Sequence, residues 1–252
     1  MKSGLVSITF RQLDCAGLVD VAARAGLQGI EWGGDVHVPH GDTSAAHLAA
    51  RMTTDAGLAV AAYGSYFSCQ PGEAFGPVLE TAKALGTPVI RIWPGDRMHS
   101  NPEDPAAIAD ACRSAAEQAA ALDIVIAAEW HGNTLTETLA GGLDLHRRVD
   151  HPNFKLYWQP SQRRTFEQRM AELEAVLPWL AHVHTFNWIN GTERQPLAES
   201  ADDWQRYLTK AATAPPFDRY AMIEFVPDDD PAMLNQEAAV LNGWLGKLDA
   251  AS

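Results

Sequence analysis

Several short apolar runs in this chain end in side chains able to do chemistry. Ile124 to Ala128 runs into Glu129, Trp130 and His131, and Met222-Ile223 runs into Glu224. Residues two apart in a strand share a face. Glu129 and His131 therefore point one way, as do His182 and His184 in the run from Leu180. Tyr157-Trp158 leads into Gln159, a carboxamide where an inward polar group is expected. A buried carboxylate without a partner costs several kcal/mol even after relaxation. Two carboxylates gathered around an imidazole thus call for a cation. One divalent ion accounts for Glu129, His184 and Glu224 together, and such oxygen and nitrogen ligands suit manganese, magnesium, cobalt or zinc.

Other runs supply a wall around these groups. Glu31 ends the second run, and His37 and His40 lie on the loop after it. Tyr63 and Tyr66 close the third run, and Arg91 and Trp93 share a face of the fourth. Arg91 has two uses open to it, pairing with an anionic substrate group or neutralising Glu31. Asn187 follows the seventh run as a further polar contact. Aromatic rings with a few polar anchors are how proteins hold sugars, and Trp32, Tyr66, Trp93 and Trp188 gather near these ends. Trp130 and Trp158 flank inward residues and are expected to pack outward. His47, His99, His146 and His151 fall on helices or far loops and need no function.

What must position these groups is an alternation. Eight apolar runs of four to nine residues, rich in β-branched and aromatic residues, are separated by Ala-, Leu- and Glu-rich stretches at helical spacing. The helices are expected at Asp14–Ala25, Thr43–Ala56, Ala74–Leu85, Pro105–Leu122, Thr136–Val149, Thr165–Leu177, Asp202–Ala212 and Asp230–Leu248. Asp14 is placed to cap the first, and Gly26, Gly57 and Gly86 to stop the first three. Eight strand–helix pairs in 252 residues predict a single (β/α)8 TIM barrel over residues 1–252. An open doubly wound sheet permits the same alternation, but no strand opens a GxGxxG helix. The stretches around His99–Asp104 and Ile189–Ser200 read as the longest irregular pieces.

Composition narrows the partners. With 19 Lys+Arg against 32 Asp+Glu, the net charge is −13, which argues against nucleic acid or anionic lipid. Cys15, Cys69 and Cys112 are widely spaced and odd in number, which fits a reducing compartment. The run Leu5–Phe10 is too short for a signal peptide core, and no stretch is long enough to span a bilayer. The expectation is a cytoplasmic protein with a small-molecule substrate. No glycine-rich phosphate cradle stands out, which points to an unphosphorylated one.

The motifs GIEWGG from Gly29, IAAEWHG from Ile126, HVHTFNW from His182 and MIEF from Met222 resemble the xylose isomerase-like superfamily of barrels, across essentially the whole chain. That superfamily holds sugar isomerases, ketose 3-epimerases, inosose-processing enzymes and an apurinic endonuclease branch. The resemblance implies one divalent metal held by Glu129, His184 and Glu224, with the family's Asp position falling on Gln159. That departure removes a negative charge and implies weaker metal binding, or help from His131 or a water. The implied activity is isomerisation or epimerisation of a keto-sugar or polyol derivative. Either Glu129 or Glu224 would abstract a proton alpha to a carbonyl and the other would return it. His131, Arg91 and Glu31 would orient hydroxyls, and His37, His40, Tyr66, Trp93 and Asn187 would complete the substrate site. The same chemistry permits a lyase or dehydratase, and Gln159 leaves room for a non-catalytic sugar-binding subunit. The endonuclease branch uses a larger His-rich ligand set than these strand ends offer. Homo-oligomers through the barrel helices are in keeping with the resemblance.

Overall fold

The computed structural model describes residues 1–96 and 104–251. Eight parallel strands close into a barrel: β1 (Lys2–Val6), β2 (Gly29–Gly33), β3 (Ala59–Gly64), β4 (Val89–Ile92), β5 (Val125–Ala128), β6 (Phe154–Trp158), β7 (Leu180–Thr185) and, after a short hairpin, β10 (Tyr220–Ile223). The order around the barrel is β1-β10-β7-β6-β5-β4-β3-β2. Pairing is in sequence order throughout, with Lys2 opposite Tyr220 closing the ring. The fold is the (β/α)8 barrel that the alternation predicts.

The period of two decides what faces in. Leu5, Ile30, Ile90, Ile126, Leu156 and Ile223 point outward and join the main core under the helices. The inward set makes a second, smaller cluster that includes Val6, Ala127, Tyr157, Tyr220 and Met222. Small residues share this interior with large ones. A Cβ on Gly29 would come within 2.7 Å of the Tyr220 ring. Outward, a Cβ on Gly142 of α5 would meet the Trp130 ring at 2.4 Å, so that helix approaches its strand only with glycine there.

The helices are α1 (Cys15–Arg24), α2 (Thr43–Asp55), α3 (Gly76–Leu85), α4 (Pro105–Ala120), α5 (Leu139–Val149), α6 (Phe166–Val176), α7 (Ala201–Ala211) and α8 (Leu234–Ala251). Asp14 caps α1 by accepting from Gly17 N at 2.8 Å, and Gly26, Gly57 and Gly86 have φ of +69°, +76° and +65° as helix stops. Thr165 and Gln168 form a reciprocal capping box on α6. Two starts fall three or more residues later than expected. The α5 helix begins at Leu139, because the Thr136 hydroxyl donates instead to the Glu129 carbonyl and Thr138 provides the cap. The α8 helix begins at Leu234, after a 3-10 turn capped by Asp230.

The stretch 189–200, expected to be irregular, contains half of a hairpin. Strands β8 (Asn187–Ile189) and β9 (Glu193–Gln195) pair antiparallel across Asn190 and Gly191, both at positive φ. That Asn-Gly pair is a hairpin signal that the sequence reading passed over. Of the other expected irregular stretch, Asp104 caps α4, while His99 lies outside the described residues.

Candidate functional site

The carboxyl ends of the strands bring the predicted polar groups together. His184, fully buried on β7, stands at the centre. Its Nδ1 lies 3.4 Å from Glu129 Oε1 and 3.5 Å from Glu224 Oε2, and its Nε2 lies 3.3 Å from Glu31 Oε2. One potential ligand atom from each of Glu129, His184 and Glu224 falls within 4.8 Å of the others. Glu129 Oε1, His184 Nδ1 and Gln159 Oε1 are buried without a hydrogen-bond partner among the described residues. Buried polar atoms are almost always satisfied, so such a group of orphaned acceptors at one strand-end level fits a cation. A carbonyl oxygen such as that of Gln159 is an ordinary ligand for a hard divalent ion.

Arg91 builds the support. Its Nε donates to Glu31 Oε1 at 2.6 Å and its Nη1 to Glu129 Oε2, which also accepts from Trp93 Nε1. Glu31 in turn engages His184 through Nε2, which leaves Nδ1 facing Glu129 and Glu224. A carboxylate behind a ligating histidine fixes its tautomer and orientation. Gly64 makes room for the pair, since a Cβ there would lie 2.5 Å from Arg91 Nη2 and 2.8 Å from Glu31 Oε1.

The charges are strongly coupled. Burial works to raise Glu31, but Arg91 and His184 outweigh it and hold it at about 2. Glu129 is likewise pulled well below the carboxylate range, with burial overcome chiefly by Arg91. Burial opposes charge on His184, yet Glu224 and Glu31 raise it well above the usual imidazole value. Three carboxylates thus face one guanidinium; a proton on His184 supplies one of the two missing positive charges, and a divalent ion would supply both.

Above this level opens a cavity of about 580 Å³. Tyr66, Trp93, Trp130, Phe186, Trp188 and Phe225 give it aromatic walls, and His131, Gln159 and Glu224 reach it. Trp93 stacks on His131 with centroids 4.3 Å apart. Trp130, expected to pack outward only, also lines this space. Tyr66, Asn133, Arg163 and Phe225 line it at left-handed φ of 57° to 66°. Strain of this kind collects at functional sites.

Five residues expected to touch substrate are not in the cavity lining. Glu31 and Arg91 are spent on each other and on the ligand set, and the Tyr66 ring covers the guanidinium at 4.7 Å. His37 bonds Ser7 Oγ and the Leu13 carbonyl, and His40 bonds the Ser65 carbonyl. Asn187 donates to the Pro196 carbonyl and anchors the hairpin. Conversely, Arg11, Arg163, Arg164 and Asn133 line the cavity without having been anticipated. The pair Arg163-Arg164, four residues beyond Gln159, was the available signal.

Buried carboxylates and an imidazole at the strand ends stand where barrel enzymes place their active sites. The chain belongs to the xylose isomerase-like TIM barrel family, whose model matches residues 19–244. It is 24% identical over 208 residues to a 3-dehydroshikimate dehydratase of Bacillus anthracis, spanning 74% of this chain and 72% of that protein. Among solved structures, a probable 3-DHS dehydratase of Bacillus anthracis superposes with a TM-score of 0.76 at 21% identity, covering 96% of this chain and 99% of the other. D-psicose 3-epimerase of Clostridium cellulolyticum H10 gives 0.72 at 18% identity, covering 98% and 99%. No helix among the described residues is long and apolar enough to cross a membrane.

Proposed function

We propose that this chain is a divalent-metal-dependent isomerase or epimerase acting on a small hydroxylated carbonyl compound of the keto-sugar or polyol type. The observation that carries the reading is the convergence of Glu129, His184 and Glu224 at the floor of an aromatic-walled cavity. Together with Gln159 these residues would hold the ion, and its chemistry would be to polarise a substrate carbonyl and lower the barrier to removing the neighbouring proton.

The two carboxylates are not equivalent. Glu129 Oε2 already accepts two hydrogen bonds, from Arg91 and Trp93. Its remaining oxygen points at the ligand cluster, so its role is to bind and to carry charge. Glu224 reaches the cavity itself, and among the described residues only His184 is a charged neighbour within salt-bridge distance. Glu224 is the better placed general base. His131 donates from Nδ1 to the Gly132 carbonyl at 2.6 Å, which leaves Nε2 as an acceptor for a substrate hydroxyl or its proton.

One observation favours a second reading. With Glu129 held by Arg91 and Trp93, Glu224 is left as the base, and elimination of water needs only one base and one acid. A dehydratase acting on a cyclic hydroxy-ketone fits this, and the Bacillus anthracis relatives carry that name. Acidic composition and a cavity of about 580 Å³ support a small-molecule substrate rather than nucleic acid or membrane, and three cysteines without a disulfide support a cytoplasmic setting.

The test is incubation of Mn²⁺-loaded protein in D₂O with a panel of ketoses, inososes and 3-dehydroshikimate, beside Glu224→Gln. Deuterium gained at carbon without loss of water supports isomerisation or epimerisation. An unsaturated, ultraviolet-absorbing product supports the dehydratase. Neither exchange nor product across the panel, or full activity in Glu224→Gln, refutes the proposal.

A further inference from the structure

We propose that the substrate carries an oxyanion, a carboxylate or a phosphate, and that Arg163 with Arg164 holds it at the rim of the cavity. The inference rests on the cavity being the substrate site. In a chain of net charge −13, the cavity lining nonetheless holds three arginines, Arg11, Arg163 and Arg164. The carboxylates facing them are Glu137 and Glu224, and Glu224 belongs to the ligand cluster.

The three arginines differ in how far they are already engaged. Arg11 pairs with Asp35. Arg164 is 3.8 Å from Glu172, a long contact, and that carboxylate already accepts from Ser161 Oγ at 2.6 Å. Arg163 has no ion pair or hydrogen bond among the described residues, and it sits at φ +59°. A left-handed torsion at a non-glycine residue is disfavoured. Here it belongs to a residue whose guanidinium is unengaged among the described residues and which lines a cavity whose floor is the ligand cluster. Arg163, Arg164, Gln159 and Glu224 line one cavity of about 580 Å³, so a single small molecule there meets both the rim arginines and the cluster.

A carboxylate at this rim is in keeping with the expected unphosphorylated substrate, whereas a phosphate revises that expectation. A glycine-rich cradle is one way to bind an oxyanion, and a pair of arginine forks is another.

The test titrates two matched probe pairs into the protein, with and without Mn²⁺, following tryptophan fluorescence from Trp93, Trp130 and Trp188. D-glucuronate is set against D-glucose, and D-ribulose 5-phosphate against D-ribulose. The expected result is that one acidic member binds at least about tenfold more tightly than its neutral partner, the gain typical of a charged hydrogen bond. Which pair shows the preference identifies carboxylate or phosphate. The preference should fall to within about twofold in Arg163→Ala and persist in Arg51→Ala, an exposed site on α2. Equal binding of acid and neutral partner, no binding of either acid, or an undiminished preference in Arg163→Ala would overturn the proposal. Mn²⁺ binding, measured on the same proteins by electron paramagnetic resonance, keeps the readings apart. Normal Mn²⁺ binding without acid preference overturns the anion subsite alone, and acid preference without Mn²⁺ binding counts against the metal site alone.

Discussion

Replacing Arg91 by Met tests the network that orients the ligand cluster. Arg91 is 1% exposed and bonds two carboxylates that are 0% and 1% exposed. Its field, with that of His184, takes Glu31 from 4.5 to about 2 against the effect of burial. That drop is worth about 3 kcal/mol of preference for the ionised form. Removing one partner from a buried ion pair typically costs about 3–5 kcal/mol, because the other charge stays buried. Arg91→Met should therefore lose about 3–5 kcal/mol at pH 7 in metal-free buffer. With an m-value of about 3 kcal/mol/M, the urea midpoint followed by tryptophan fluorescence drops by about 1 to 1.7 M. Adding Glu31→Gln should recover at least about 1 kcal/mol, because the double variant no longer strands that charge. The pH dependence has a fixed sign. Wild-type Glu31, with its depressed value, stabilises the fold above pH 4.5 and loses that contribution as pH falls towards 2. Without Arg91, burial raises Glu31, so its protonation relieves the variant and the gap to wild type narrows between pH 7 and 4.5. A loss below about 1 kcal/mol, strict additivity with Glu31→Gln, or a gap that does not change with pH would refute the reasoning.

Three further outcomes follow from particular contacts. His182 is buried at about 4 among Tyr157, Phe217 and Tyr220 rings. Its unfolded form binds protons first, so its contribution is intact above about 6.5 and lost as pH falls to 4; at pH 5 wild type should have lost about 2 kcal/mol that His182→Gln does not, read from urea melts at both pH values. Gly64→Ala places a Cβ against Arg91 and Glu31, and should cost about 1–3 kcal/mol and weaken Mn²⁺ binding by about tenfold or more, checked by melting and by Mn²⁺ titration. Thr165→Ala removes the α6 capping box, and should cost about 1 kcal/mol, a fall in Tm of about 2–4 °C by calorimetry.

Much of this protein was legible in the chain itself, for local reasons. The period of two along each apolar run put Glu129, Gln159, His184 and Glu224 on inward faces, and parallel pairing in sequence order carried them to one level. Caps and stops were equally local, since Asp14, Gly26, Gly57 and Thr165 act on backbone groups within a few residues of themselves. The hairpin at Asn190-Gly191 was readable in the same way and was missed.

What the chain alone left open depended on which distant side chains meet. Arg91 meets Glu31 across 60 positions and Glu129 across 38. No periodicity states that one guanidinium satisfies both, or that Tyr66 closes over it. Sequence spacing could not separate a substrate-facing arginine from a buried one; burial and the room left by Gly64 do. His37, His40 and Asn187 turned to backbone carbonyls and a serine hydroxyl because loop closure put those partners within reach. Arg163 lines the cavity through the tertiary course of the loop after β6, at a left-handed torsion that no local pattern announced. Local pattern determines which face a residue takes, whereas the partner it finds there is settled only when the barrel closes and the buried charges must be balanced.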